Sequence, residues 1–209
     1  MRTHLPPVLQ HHLTALRILL AFTLLTGIAY PLLVTAIAQA GLSHQADGSL
    51  LTTNGKPVAS SLIGQNFTLP KKNPQDAQEP LRPDPTWFQP RPSTGGYDPM
   101  NSGASNLGPN NTDLIGTVQD RLAAVAAFDG VPFSSVPPDA VTASGSGLDP
   151  AISPAYAYEQ VDRVAKARHL APAKVRMLVA QHVQGRVLGF LGQEHVNVVA
   201  LNHDLAKLV

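Results

Sequence analysis

Between Ile18 and Ala40 the chain runs without a charged residue, and no other stretch of its 209 residues is as long and apolar. As an α-helix, about 23 residues at about 1.5 Å each reach about 35 Å, enough to cross a bilayer core of about 30 Å. Such a segment divides the protein into a tail (1–17), a transmembrane helix (18–40) and one large domain (41–209) beside the membrane. A cleaved secretory signal is the competing reading, because Ala36-Ile37-Ala38 and Ala38-Gln39-Ala40 both fit a small-residue cleavage site. The apolar core of a signal is shorter, about 7–15 residues, so the length favours a retained helix.

Pro31 lies mid-span and removes one backbone hydrogen bond. In lipid that loss is made good by a neighbouring helix, by Thr hydroxyls or by local rearrangement. Thr26, Gly27, Ala29 and Thr35 are small enough for close helix contact, which makes Pro31 a candidate partner contact. Arg2, Arg17 and the amino terminus precede the span, and the next basic residue is Lys56. The positive-inside rule therefore puts the tail in the cytoplasm and the chain from about Gly41 outside.

With a net charge of +1 and 14% charged residues, no basic face large enough for nucleic acid is visible. Cysteine is absent, which excludes disulfides, thiolate metal sites and a catalytic thiol. Asn54-Gly55 between Ser49–Thr53 and Pro57–Ile63 predicts a hairpin. The proline-rich stretch from Lys71 to Pro85 predicts an exposed, extended excursion. Apolar residues at Leu114, Ile115, Val118, Leu122 and Val125 predict a helix over Asn111–Phe128 with Asn111 or Thr112 as cap. Val141–Ala143 reads as a short strand, Ser153-Pro154 opens a helix to about Arg168, and another runs from Pro172 to Gly185. Val196–Leu208 reads as a helix, with a strand over Val196–Val199 as the alternative. The sum is a mixed α/β fold of the α+β kind: one transmembrane helix, then a loop-rich domain with a hairpin and about four helices.

No phosphate-binding Gly-x-x-x-x-Gly-Lys loop, dinucleotide fingerprint or Asp-Lys-Thr-Gly stretch occurs. One helix cannot enclose a pore. His182, His195 and His203 lack the spacing of a metal site, and Glu194-His195 reads as a solvated pair. Ser144–Gly147 reads as a turn ahead of a capped helix, with phosphate cradling as the alternative. Asn101–Asn106 offers side-chain amides and hydroxyls to a partner chain, so Asn101, Ser102, Ser105 and Asn106 are candidate contacts. The sequence thus predicts no catalytic residue, resident metal or cofactor.

Five stretches carry a resemblance: Ser61-Leu62-Ile63-Gly64-Gln65-Asn66-Phe67; Phe88-Gln89-Pro90-Arg91-Pro92-Ser93; Tyr97–Pro109; Val141–Pro154; and Gly189-Phe190-Leu191-Gly192-Gln193 followed by Val196-Asn197-Val198. In this order, behind one membrane helix, the chain resembles the C chain of the bacterial potassium-transporting P-type ATPase, the Kdp complex. The excursion from Lys71 to Pro85 is longer than the family pattern. The resemblance implies a non-catalytic accessory subunit in the bacterial inner membrane, single-pass, with its bulk periplasmic. Its implied partners are a potassium-translocating channel-like chain, an ATP-hydrolysing chain and a small one-helix chain, with lipid around the helix. It further implies a role in assembly, and in raising the ATP affinity of the hydrolysing chain as a catalytic chaperone. Potassium is then the transported ion of the complex, and the chain has no cofactor of its own beyond ATP shared with the hydrolysing chain. Phe88, Arg91 and Asp149, within the resembling stretches, join the candidate contacts. A membrane-tethered periplasmic ligand-binding or hydrolytic domain acting alone is the alternative, with its site at the Ser144–Ser153 turn and His195.

Overall fold

In a computed structural model of the chain, residues 6–76 and 78–208 are described. They form two compact units, the first ending at Ser49 and the second starting at Leu50.

The first unit is dominated by one helical rod, Pro7–Gly41, whose apolar window is wholly exposed. It comprises α1 (Pro7–Leu24), a π-helical turn (Leu25–Ala29) and α2 (Tyr30–Gly41), followed by the single turn α3 (Ser43–Ala46). The rod thus begins well before Ile18. Pro7 in the first turn is preset for helix, and the Leu, Ala, Gln and Arg residues that follow are good helix formers. The π turn lies directly ahead of Pro31, and Tyr30 N–H bonds to Leu25 C=O, five residues back. Proline lacks the amide proton and its ring crowds the carbonyl four residues before it, so a wider turn relieves both faults. The Thr26 hydroxyl donates to Phe22 C=O at 2.6 Å, satisfying the same wall of the helix.

In the second unit, β1 (Leu50–Thr53) and β2 (Lys56–Ser60) form the expected hairpin, with a bulge between Leu51 and Thr52. Asn54 and Gly55 take φ of 53° and 75°, the left-handed pair that a tight hairpin turn demands. Next come α4 (Thr112–Asp129), a 3₁₀ turn (Phe133–Ser135), α5 (Pro138–Val141), β3 (Ala151–Ile152), α6 (Pro154–Glu159) and α7 (Val161–Ala167). The chain closes with α8 (Pro172–His182), β4 (Val183–Gln184), β5 (His195–Asn197) and α9 (Val198–Leu205). The second sheet is antiparallel in the order β3-β5-β4, and Val196 pairs with both Ile152 and Val183. Val161, Val164, Val175, Val179, Val196, Val198, Leu201 and Leu205 are completely buried and make one core with Phe88.

The α+β class is as expected, but several elements differ. Val141 ends α5 and is not in a strand, because Pro138 opens a helical turn that the Thr142 hydroxyl closes on Pro138 C=O at 2.8 Å. The helix expected from Ser153 to Arg168 is broken at Gln160, whose side chain turns inward to bond the backbone of a distant segment. Both readings of Val196–Leu208 hold in part, since a strand through Asn197 hands over to α9, which Asn197 caps by accepting from Ala200 N–H. The Lys71–Pro85 excursion is exposed but not extended. Leu69 N–H bonds to Arg82 C=O at 2.8 Å, closing its base, and the Glu79 carboxylate accepts from the Lys72 and Asn73 amides at 2.8 Å.

Residues 85–89 lie outside every strand yet are pinned on all sides. Asn202 accepts from Phe88 N–H at 3.0 Å and donates to Phe88 C=O at 2.9 Å. Gln160 accepts from Gln89 N–H at 2.6 Å and donates to Gln89 C=O at 3.1 Å. Arg163 donates to the carbonyls of Pro85 and Trp87 at 2.7 and 2.9 Å, to Gln160 at 2.6 Å and to Asp129 at 2.5 Å, with its guanidinium over the Phe128 ring. Arg168 donates to Thr86 C=O at 2.7 Å and stacks on Trp87. Burial pushes the Asp129 carboxyl above its ordinary range, and Arg163 pulls it back.

The side chains of Arg163 and Asp129 are only 6% and 1% exposed, so Arg163→Met strands a buried carboxylate and two backbone carbonyls. A loss of about 3–5 kcal/mol is expected, read by urea unfolding of the full chain in detergent. Glu159 gives a pH signature: both its oxygens are buried and unbonded, and burial, with Asp129 and Asp139 adding, pushes its pKa up to about 7. A folded pKa above the unfolded value stabilises below the ordinary 4.5 and is lost as pH rises through about 7. Melting temperatures of Glu159→Gln should therefore fall less than those of the native chain between about pH 5 and about pH 8.

Candidate functional site

Four of the five resembling stretches fold onto one another around Tyr97, which is buried and sits at φ 61°. Its ring lies against Gly64, where a Cβ would come within 2.2 Å of the ring carbon Cε1 and 3.0 Å of Asp149 C=O. Only glycine fits that gap. The Tyr97 hydroxyl donates to Arg91 C=O at 2.9 Å and lies 3.3 Å from Asp149 C=O. Burial pushes this hydroxyl above its usual pKa, Asp149 adds to the effect and Arg91 opposes it, so it stays a proton donor.

Ser93 accepts from Tyr97 N–H at 3.0 Å and donates to Gly147 C=O at 2.6 Å. Gly64 N–H bonds to Leu148 C=O at 2.8 Å. The Ser102 hydroxyl and Gly103 N–H both reach Ser146 C=O, at 3.1 and 2.8 Å. Arg91 pairs with Asp149 at 3.3 Å and also donates to Thr142 C=O at 3.3–3.4 Å. The hydroxyls of two serines and one tyrosine thus do the work that a sheet ladder does elsewhere.

Of the candidate contacts, the fold brings Arg91 and Asp149 together and seats Ser102 on Ser146 C=O, while Asn101 N–H bonds to Asp98 C=O at 2.9 Å. Ser105 and Asn106 are exposed farther along that loop. Pro31 belongs to the first unit. Phe88 is corrected: it is 0% exposed, so its ring serves the core and offers no face to a partner. The Gln160 and Asn202 clamps were not legible, because a lone amide in a helix reads as a solvent-facing residue.

Beside Arg91 and Asp149 opens a cleft of about 650 Å³ that Asp139, Ser153, Gln193, Glu194 and His195 also line. Its polar groups are largely committed. The Ser153 hydroxyl caps α6 by accepting from Tyr156 N–H and donates to Asp139 at 2.8 Å, and His195 Nδ1 lies 3.1 Å from Gln193 C=O. No hydrogen bond joins Ser153 to His195 among the described residues. In the Ser144–Gly147 turn the Ser144 hydroxyl accepts from Gly147 N–H at 2.9 Å, which spends that amide inside the turn. His182 and His203 flank Asp204 at 3.1 and 3.4 Å, and Lys207 pairs with the same carboxylate at 2.6 Å. Among the described residues no group of three or more acidic or histidine side chains is placed to hold a metal.

A family model described as "K+-transporting ATPase, c chain" matches residues 12–207, reaching into both units. The chain belongs to this KdpC family. Proteins named "Potassium-transporting ATPase KdpC subunit" are similar along most of their length. That of Kineococcus radiotolerans is 49% identical over 197 residues, 93% of this chain and 92% of the relative. Those of Streptomyces avermitilis and Sorangium cellulosum are each 50% identical over 93% of this chain, covering 92% and 96% of the relatives. A KdpC chain with an exposed apolar helix is membrane-associated.

Gly64 is a tight point of this loop layer. Gly64→Ala must displace the Tyr97 ring or Asp149 C=O, and a cost of about 1–3 kcal/mol is expected in thermal or urea unfolding. Met100→Ala, at a side chain 91% exposed, should leave stability unchanged.

Proposed function

We propose that the chain is a non-catalytic accessory subunit of an ATP-driven, high-affinity potassium uptake pump, needed for its assembly. The observation that carries this reading is the family match across residues 12–207, which takes in the apolar rod and the folded body together. The rod anchors the subunit in the bacterial inner membrane, with the tail (1–17) cytoplasmic, the span over 18–40 and residues 41–209 periplasmic. Its partners are the potassium-translocating, ATP-hydrolysing and small one-helix chains. The arginine bias ahead of the span supports the orientation. The internal commitment of Arg91, Asp139 and Ser153 supports a body that docks and does no chemistry. ATP is cytoplasmic and the body external, so any rise in the ATP affinity of the hydrolysing chain passes through contacts of the rod. The half-buried Arg91–Asp149 pair and the largely exposed Asn101–Asn106 loop are the candidate docking surface.

The cleft that joins Ser153 to His195 is the one feature favouring a lone tethered ligand-binding or hydrolytic domain. Mild-detergent purification followed by identification of bound chains separates the two readings. Co-purification with an ATPase, and loss of uptake at micromolar potassium when residues 50–209 are removed, are expected. Unchanged uptake, or a stable monomer with ligand-binding or hydrolytic activity, overturns the pump reading.

A further inference from the structure

Between α4 and the proline-rich segment from Leu81 to Ser93 lies a cavity of about 380 Å³, within the size range of small-molecule sites. It is separate from the cleft at Ser153 and His195, although Arg91 borders both. One face of α4 lines it, with Arg121, Ala124, Val125 and Phe128 at helical spacing. Tyr156 of α6 closes another side.

Most of its polar groups are spent. Gln89 donates to the carbonyls of Phe67 and Asp84, Asn66 to Gly96 C=O and Ser93 to Gly147 C=O. Arg91 pairs with Asp149. Two groups are not spent. Arg121, half-buried, gives one donor to Val141 C=O at 3.2 Å and pairs with no carboxylate among the described residues. Burial lowers its pKa, and no neighbouring carboxylate opposes the shift. Tyr156 is only 3% exposed, and among the described residues its hydroxyl has no hydrogen-bond partner. That hydroxyl is not a fully enclosed atom, so it opens onto the cavity that Tyr156 lines. Burial, with Asp129, Glu159 and Asp139 adding and Arg163 opposing, keeps it protonated, and it enters as a neutral donor.

A half-buried guanidinium without a counter-charge and a buried hydroxyl without an acceptor both call for an acceptor oxygen, and the guanidinium calls for a negative one. The walls select further. One guanidinium fork and one hydroxyl match a single carboxylate, whereas a phosphate dianion has more charge and more oxygens than they answer. Leu81, Val125 and Phe128 offer packing to an apolar body. Pro83, Pro90 and Pro92 have no N–H, so this wall cannot pair with an added peptide strand, which favours a small molecule over a chain.

We propose that this cavity binds a small carboxylic acid with an apolar body, its carboxylate held by Arg121 and the Tyr156 hydroxyl and its body against Val125 and Phe128. The probe is 3-phenylpropanoate, titrated by calorimetry into the full chain in whatever assembly mild detergent yields. The neutral 3-phenylpropanamide controls for partition into detergent. Saturable binding of the carboxylate and none of the amide is expected. Tyr156→Phe removes a hydroxyl that no described residue bonds, so the fold holds and affinity falls about tenfold or more. Arg121→Gln abolishes binding, with its melting curve checking the fold, and Met100→Ala binds as the native chain does. No saturable binding, equal binding of the amide, or native affinity in Tyr156→Phe or in a folded Arg121→Gln overturns the site. Binding by a complex that contains an ATPase supports the site and the pump reading together. Binding by a monomer supports the site and overturns the pump reading, and a complex that fails to bind overturns the site alone.

Discussion

Two buried side-chain amides, Gln160 and Asn202, hold the backbone of Phe88 and Gln89 as a neighbouring strand would. The rest of the second unit depends on this. Its first half is rich in proline and turns, and so has few elements that satisfy their own backbone. Its second half has the helices and the core. A segment buried between them must have every carbonyl and amide answered, because each one left open costs about 1–3 kcal/mol. The helices answer with side chains, and Phe88 enters the core only because they do.

The arginines extend the same device. Arg163 and Arg168 spend their donors on the carbonyls of Pro85, Thr86 and Trp87, and Asp129 neutralises Arg163. Without a disulfide, this polar seam and the valine-rich core supply the cohesion that a cross-link gives some other small domains. Around Tyr97 the pattern recurs on a smaller scale, with the Ser93, Ser102 and Tyr97 hydroxyls standing in for a ladder.

What the sequence revealed follows from the range of the forces involved. The rod, the Asn54-Gly55 hairpin, the Asn111 cap and the Ser153-Pro154 start are local, and neighbouring residues were enough to read them. The Val141 strand failed because the two prolines before it impose a helical turn. The break at Gln160 was invisible because its cause, Gln89, lies 71 residues away. The second sheet was missed for the same reason, since β3 and β4 are two residues each and exist only by pairing with β5. At the candidate site the motif stretches were found as words, but their convergence on Tyr97 was not. Phe88 was misjudged because an aromatic in a loop-rich motif gives no sign of which way it points.

The wide turn ahead of Pro31 bears on how the rod meets its neighbours. Inserting one residue into a helical turn rotates everything beyond it by about 100° relative to an unbroken α-helix. Side chains of α1 and α2 that a helical wheel would stack in one line therefore point in different directions. The two halves of the rod thus offer differently directed faces to whatever packs against them.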